Sequence, residues 1–201
     1  MTEQQENTEH QILDAAYEVF MEKGMQGTRM SDIADKAGIK RTVVNYYFRT
    51  KEKLYMKVAK TIVKQALPVM VRVLNSDTSL KEKIEQFVHN YISMAQRTPY
   101  MPIYIVNEVN KLGPAFIEEI FEGNKPSIQP FIDHLKREVD AGNIRQVEPY
   151  QILLHIMSLC LFPFLGKSMF SIMTGLGKQS IDDLIEARKQ AVPELIISYL
   201  T

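Results

Sequence analysis

An all-helical chain is expected, and three observations carry that expectation. Apolar residues recur at helical spacing along the chain. No stretch alternates apolar and polar residues with a period of two. Glycines, prolines and paired hydroxyl and acid or amide residues punctuate the pattern where helices start and stop. About nine or ten helices fit this punctuation in a chain of 201 residues.

Thr8 and Gln11 form a capping-box pattern that opens the first helix. Ile12, Ala15, Ala16, Val19 and Phe20 then share one face, and Gly24 supplies the stop. Thr28 suits the N-cap of a second helix whose inward residues are Ile33, Ala34 and Ala37. Gly38 makes the turn. A third, short helix runs over residues 41–48 with Val43, Val44 and Tyr47 facing inward. Asn45 and Tyr46 lie between those positions and face outward. Two short helices around a glycine turn, ending in a basic boundary, are the pattern of a helix-turn-helix, whose second helix enters the DNA major groove.

From Glu52 the pattern lengthens: Leu54, Tyr55, Val58, Ile62, Val63, Ala66, Val69 and Val73 mark a long helix with a kink at Pro68. Ser79 and Glu82 form another capping box, before Ile84, Phe87, Val88, Tyr91, Ile92 and Ala95. Pro99, Pro102, Pro114, Pro126 and Pro130 divide residues 98–141 into short helices, with Pro102 and Pro114 suited to first helical positions. Gly142 ends the last of them. Pro149 opens a helix over 149–165, and a glycine-containing loop covers 166–179. Ser180 with Asp183 caps the final helix, which Pro193 should bend. The division expected is a DNA-binding domain over 1–50 and a larger helical domain over 51–201. It falls at the start of a continuous helix, so no flexible linker separates the parts.

Net charge is zero, but its distribution is uneven. Residues 40–60 hold Lys40, Arg41, Arg49, Lys51, Lys53, Lys57 and Lys60 against Glu52 alone, a net of +6. A basic stretch beside a candidate reading helix is what phosphate attraction needs. The single cysteine, Cys160, excludes an intrachain disulfide framework and multi-cysteine metal sites. The acidic, polar start is unlike a signal peptide. The longest apolar run, Ile152 to Leu165, has the length of a buried core helix rather than a membrane crossing. A cytoplasmic protein without membrane contact is therefore expected.

The segment GTRMSDIADKAGIKRTVVNYYFRTKEKLY resembles the TetR family of bacterial transcription regulators. The resemblance rests on Gly27–Thr28, Ile33–Ala34, Ala37–Gly38, Tyr47–Phe48, Lys51–Glu52 and Leu54, and on the preceding helix from Ala15 to Gly24. It covers residues 8–55. It implies a homodimer in which each subunit joins a three-helix DNA-binding domain to a larger helical domain for a small molecule, with the last two long helices pairing across the dimer. Two positions depart from the family pattern. Lys40 stands where a small hydroxyl residue is usual, and lysine cannot accept from the free donors of a helix start. Asn45 stands where tyrosine is frequent, and asparagine can pair with an adenine edge.

On chemistry and motif together, Thr28, Thr42, Tyr46 and Lys51 are expected to contact phosphate, and Lys40, Arg41 and Asn45 to reach base edges. Arg29 suits guanine or phosphate. Phe87, Tyr91, Met94, Tyr100, Tyr104, Phe116, Met157, Phe162 and Met169 are candidates to line a pocket for a small hydrophobic or aromatic effector. Leu153, Leu154, Leu161, Leu184, Ile185, Val192 and Ile196, together with Met157, exceed what one exposed face should carry and are expected at a dimer interface.

No cofactor, metal site or enzymatic chemistry is expected. His10, His89, His134 and His155 lack ligand spacing, and Gly177–Lys178 lacks the upstream glycine of a phosphate loop. The function expected is a ligand-responsive regulator, a repressor released from a palindromic double-stranded operator. The alternatives are a helical carrier or sensor of hydrophobic molecules that no longer reads sequence, and a small helical enzyme.

Overall fold

The computed structural model describes residues 3–201, with side chains at all of them except positions 3, 4, 104, 108, 111, 112, 115, 116 and 119. Among the described residues there are eleven helices and no strand: α1 (Glu3–Gly27), α2 (Met30–Ala37), α3 (Arg41–Tyr47), α4 (Lys51–Leu74), α5 (Leu80–Arg97), α6 (Met101–Leu112), α7 (Pro114–Phe121), α8 (Gln129–Asp140), α9 (Pro149–Leu165), α10 (Lys167–Thr174) and α11 (Lys178–Leu200). They form two compact units. The first comprises residues 1–65 and 98–120, the second 66–97 and 121–201. Compactness thus divides the chain elsewhere than at residue 50. The first half of α4 and the start of α6 share a core with α1–α3, while the second half of α4 contributes to the other core.

In the first unit α1 begins at Glu3, so Thr8 and Gln11 lie inside the helix and do not cap it. The run EQQENTE is rich in residues that cost little in a helix, and it extends the helix past the expected start. Gln11 Nε2 instead donates to the Ala37 carbonyl at the end of α2, 2.7 Å away. The helical path breaks at Gly24, with φ 66° and ψ 174°. A side chain there would also stand 3.3 Å from the Tyr100 ring. Ile12, Ala16, Phe20, Ile33, Val44, Leu54, Ala59 and Met101 are fully buried around this point. Phe20 and Tyr55 meet edge to face at 4.6 Å.

The second unit is built on α5, α9 and α11. Ser79 and Glu82 close the expected reciprocal cap: the Ser79 N–H donates to the carboxylate at 3.0 Å and the Glu82 N–H to the hydroxyl at 3.3 Å. Pro149 opens α9 as expected, with the Glu148 carboxylate accepting from the Gln151 N–H at 2.8 Å. The loop expected at 166–179 contains α10. It stops at Gly175 in the left-handed region, φ 71°, and the Ser171 hydroxyl donates to the Leu176 carbonyl at 2.8 Å. α11 starts at Lys178, so Ser180 and Asp183 occupy its first turns and do not cap it. Pro68 and Pro193 lie inside α4 and α11, and neither ends its helix. Phe87, Phe131, Ile152, Ile156 and Cys160 fill the core, and burial pushes the Cys160 thiol up to about 12. Among the described residues no single helix is long and apolar enough to cross a membrane.

One buried polar chain ties α5 to α8. Lys83, only 5% exposed, places Nζ 2.8 Å from His134 Nδ1, and His134 Nε2 lies 3.4 Å from the Glu138 carboxylate. Burial, then the Lys83 charge, holds His134 below its ordinary value of 6.5. The unfolded chain therefore takes up this proton at a higher pH than the folded one. The contribution to stability is complete above the ordinary imidazole range and is lost as pH falls through it toward the folded value.

Two outcomes are expected. In urea titrations, the loss of stability between about pH 7.5 and pH 5.5 should be smaller in His134→Asn than in the parent; an equal loss would remove His134 as the cause. Gly24→Ala should cost roughly 1–3 kcal/mol of stability, because the backbone there suits only glycine. Gly27→Ala, where an added carbon meets only the Lys23 Cβ at 3.4 Å, should be near neutral.

Candidate nucleic-acid interface

α2 and α3 meet at a turn set by Gly38, whose φ of 66° lies in the left-handed region. The Gly38 N–H donates to the Asp35 carbonyl at 3.1 Å and the Ile39 N–H to the Ala34 carbonyl at 3.0 Å, and with Gln11 on the Ala37 carbonyl they close the last turn of α2. α2 is fixed at its other end by Asp32. Its carboxylate accepts from the Arg29 N–H at 3.1 Å and pairs with Lys23 at 3.2 Å. The Arg29 N–H, then Lys23, holds that carboxyl below the ordinary aspartate value.

α3 is seven residues long, and Val44 is its one fully buried side chain. Phe48 follows it into the same core, and Tyr47 packs against that core half-buried. These anchors turn the opposite face to solvent. Arg41, Thr42, Asn45 and Tyr46 are all exposed, Tyr46 by 75%. Lys40, exposed, occupies the N-cap and makes no side-chain cap there, as its chemistry requires. Arg29 is exposed at the start of α2, and Arg49 is exposed in the turn leading to α4. Arg49 stands in the basic window of residues 40–60, and its exposure adds it to the expected contacts. The arrangement is a short helix with cations at its start and after its end, and an amide and a phenol between them. Cations suit phosphates, and an amide suits a base edge.

Two expected DNA contacts change character. Thr28 is 2% exposed, and its hydroxyl donates to the Gly24 carbonyl at 2.7 Å, not outward to a phosphate. The break at Gly24 frees that carbonyl from the α1 ladder, and a buried carbonyl needs a donor. Arg29, not Thr28, occupies the N-cap of α2. Lys51 donates to the Thr28 carbonyl at 3.1 Å, so this lysine also ties the start of α4 to the α1–α2 junction.

The residues expected to line an effector pocket do not converge. Phe87 and Tyr91 stack at 6.1 Å in the second core, with Met94 and Met157 packed against the same cluster. Tyr100 belongs to the first unit and lies over Gly24. Phe162 and Met169 are each 52% exposed, because both stand on outward faces of their helices. Tyr104 and Phe116 lie outside the described side chains.

The expected dimer residues also divide. Ile185, Val192 and Ile196 are buried within the second core. Leu154 and Leu184 are exposed by 59% and 47%, while Leu153 and Leu161 are half-buried against the core. α11 carries two apolar stripes, and only the one through Leu184 and Leu195 faces solvent.

A helix-turn-helix with a cationic, solvent-facing second helix defines a DNA-binding protein of the transcription-regulator class. Comparison with known proteins agrees. A family model described as bacterial regulatory proteins, tetR family, matches residues 12–58. The regulator RutR of Escherichia coli is 25% identical over 145 residues, 72% of this chain and 68% of that protein. The fatty acid metabolism regulator protein of Bacillus subtilis is 24% identical over 136 residues, 68% of this chain and 70% of that protein. The crystal structure of the regulator FadR from Bacillus subtilis in complex with stearoyl-CoA shares the fold, with TM-score 0.61 and 22% identity, covering 96% of this chain and 99% of that one. A TetR/AcrR-family regulator from Thermobifida fusca gives TM-score 0.62 at 21% identity, covering 93% and 97%. Residues 12–58 thus match the tetR family of bacterial regulatory proteins, and the chain shares the fold of solved TetR-family regulators.

Two substitutions separate reading from holding. Asn45→Ala should lower discrimination at particular base pairs by roughly 1–3 kcal/mol each. Equal losses on selected and random duplexes would reject a base contact. Lys51→Ala should weaken binding to every sequence and flatten its salt dependence. An unchanged salt slope would leave Lys51 with only its Thr28 contact.

Proposed function

We propose that this regulator is a homodimeric repressor that leaves a palindromic operator when a small hydrophobic molecule binds the region 51–201. The observation that carries the DNA half is the outward face of α3, where Arg41, Thr42, Asn45 and Tyr46 stand clear while Val44 is buried. Residues 1–50 read the operator, with Lys40, Arg41 and Asn45 at base edges and Thr42, Tyr46 and Lys51 on phosphates. A dimer presents two reading helices about one DNA turn apart, ~34–36 Å, or a multiple, which is why a palindrome is expected.

The effector half is supported by likenesses to Bacillus subtilis proteins whose names concern acyl chemistry, a fatty acid metabolism regulator in sequence and FadR holding stearoyl-CoA in structure. A ligand releases DNA only by binding the two states unequally. We assign the protein no enzymatic role, since its named relatives are regulators.

Selection of bound sites from random duplexes tests this reading. A palindromic site should be enriched, its binding should fall steeply with salt, and acyl-type ligands should weaken it. Recovery of no common sequence at low ionic strength would reject it in favour of a carrier or sensor of hydrophobic molecules.

A further inference from the structure

Among the described residues one charged side chain is buried: Lys83 on α5, 5% exposed. Taking an ammonium out of water is costly unless an opposite charge compensates it. Lys36, Lys57, Lys81 and Lys189 face carboxylates. Lys83 faces an imidazole instead. Its Nζ stands 2.8 Å from His134 Nδ1, a nitrogen that can accept only while the ring is neutral. Burial lowers the affinity of this amine for its proton; Asp77 opposes that effect and Arg137 adds to it.

Three side chains here form a relay. A Nδ1 that accepts from Nζ leaves the ring proton on Nε2, and Nε2 lies 3.4 Å from the Glu138 carboxylate. Amine, imidazole and carboxylate in this order have the arrangement of an activated nucleophile. The nucleophile is within hydrogen-bond reach of a base, and a third group orients that base. Lys83 comes from the first turn of α5, and His134 and Glu138 stand one turn apart on α8. Arg137, exposed on α8, and Asp77, in the turn before α5, complete the charges around them. The DNA and effector readings leave this relay unused.

We propose that Lys83 is a carbon dioxide site: Nζ adds to CO2 and forms a carbamate, with His134 holding a proton that the amine gives up. The ammonium first passes one proton to His134 Nδ1, while Nε2–H stays turned to Glu138. The free amine pair then attacks the CO2 carbon, the N–C bond forms, and one C=O π pair moves onto oxygen. The surplus proton on nitrogen leaves to water. One ammonium and one CO2 thus give one carbamate and two protons, of which His134 keeps one, and the step is redox-neutral. Size and charge select this electrophile. A side chain 5% exposed admits so small a molecule more readily than an acyl thioester. A carbamate exchanges the contact of a cation with a neutral ring for an ion pair with the imidazolium. An imine would keep the positive charge, and an acetyl group would give His134 no anion. In the unfolded chain Lys83 regains its ordinary proton affinity and stays an unreactive ammonium, so CO2 favours the folded state.

The test exposes the full chain to carbon-13 bicarbonate equilibrated with CO2 at constant pH. Carbamates are trapped with triethyloxonium and mapped by peptide mass spectrometry. The trapped group should sit on Lys83 at roughly fivefold the level of any other lysine or of the N-terminal amine. His134→Gln, which cannot take the proton, should cut the Lys83 level roughly fivefold while circular dichroism shows the helices intact. In guanidinium chloride, CO2 should raise the unfolding midpoint of the parent and leave that of Lys83→Arg unchanged. The mapping needs only the parent, so it decides the site even if Lys83→Arg fails to fold. Trapping confined to the N-terminus, or spread evenly over exposed lysines, overturns the proposal. An unchanged level in folded His134→Gln overturns the relay. Acetylation of Lys83 by acetyl phosphate beyond its carbamate level overturns CO2 in favour of an acyl donor.

Discussion

α3 is too short to be a helix on its own strength. It exists because Val44 and Phe48 are drawn into a core made by α1, α2 and the first half of α4, and every functional statement about its outer face depends on that burial. With Val44 fixed inward, helical geometry leaves little choice for its neighbours. Positions one and two residues later must turn away, which places Asn45 and Tyr46 in solvent. The Gly38 turn and the Asp32 cap then fix the angle at which α2 delivers the chain to α3. The reading surface is thus a by-product of packing, and it costs no strained residue outside glycine.

The junction of α1 and α2 shows how closely support and function are interleaved. Gly24 breaks α1 and leaves a carbonyl that Thr28 satisfies, and the Thr28 carbonyl in turn accepts from Lys51. Lys51 therefore holds the fold at the same position where a phosphate contact is proposed for it. Tyr100, far along the chain, covers Gly24 from the N-cap of α6. This is why the first compact unit includes residues 98–120 and does not end with the helix-turn-helix. In the second unit, buried side chains from α5, α9 and α11 make the core, and the apolar residues left over on α9 to α11 point outward.

Much of this was legible in the sequence, for identifiable reasons. The faces of α1 to α3 followed from spacing, because each has one narrow apolar stripe. The caps at Ser79 and Pro149 were legible because those motifs act locally. Thr28 was misread because N-cap preference describes a hydroxyl near a helix start. It does not reveal that a broken helix beside it offers a needier carbonyl. α10 was hidden by its flanking glycines, which read as a loop. The residues of α11 were merged into one interface because its two apolar stripes lie side by side, and spacing alone does not say which one the core takes. Aromatic and methionine character marks the expected pocket residues, and core, junction and surface all share it.

The central claim is that the outer face of α3 touches base edges. Intermolecular NOEs between the protein and a selected duplex test it most directly. The expected result is contacts from Asn45 and Tyr46 side-chain protons to major-groove base protons, with none from Val44 or Phe48. Contacts confined to sugar protons, or arising from a surface that excludes α3, would contradict it.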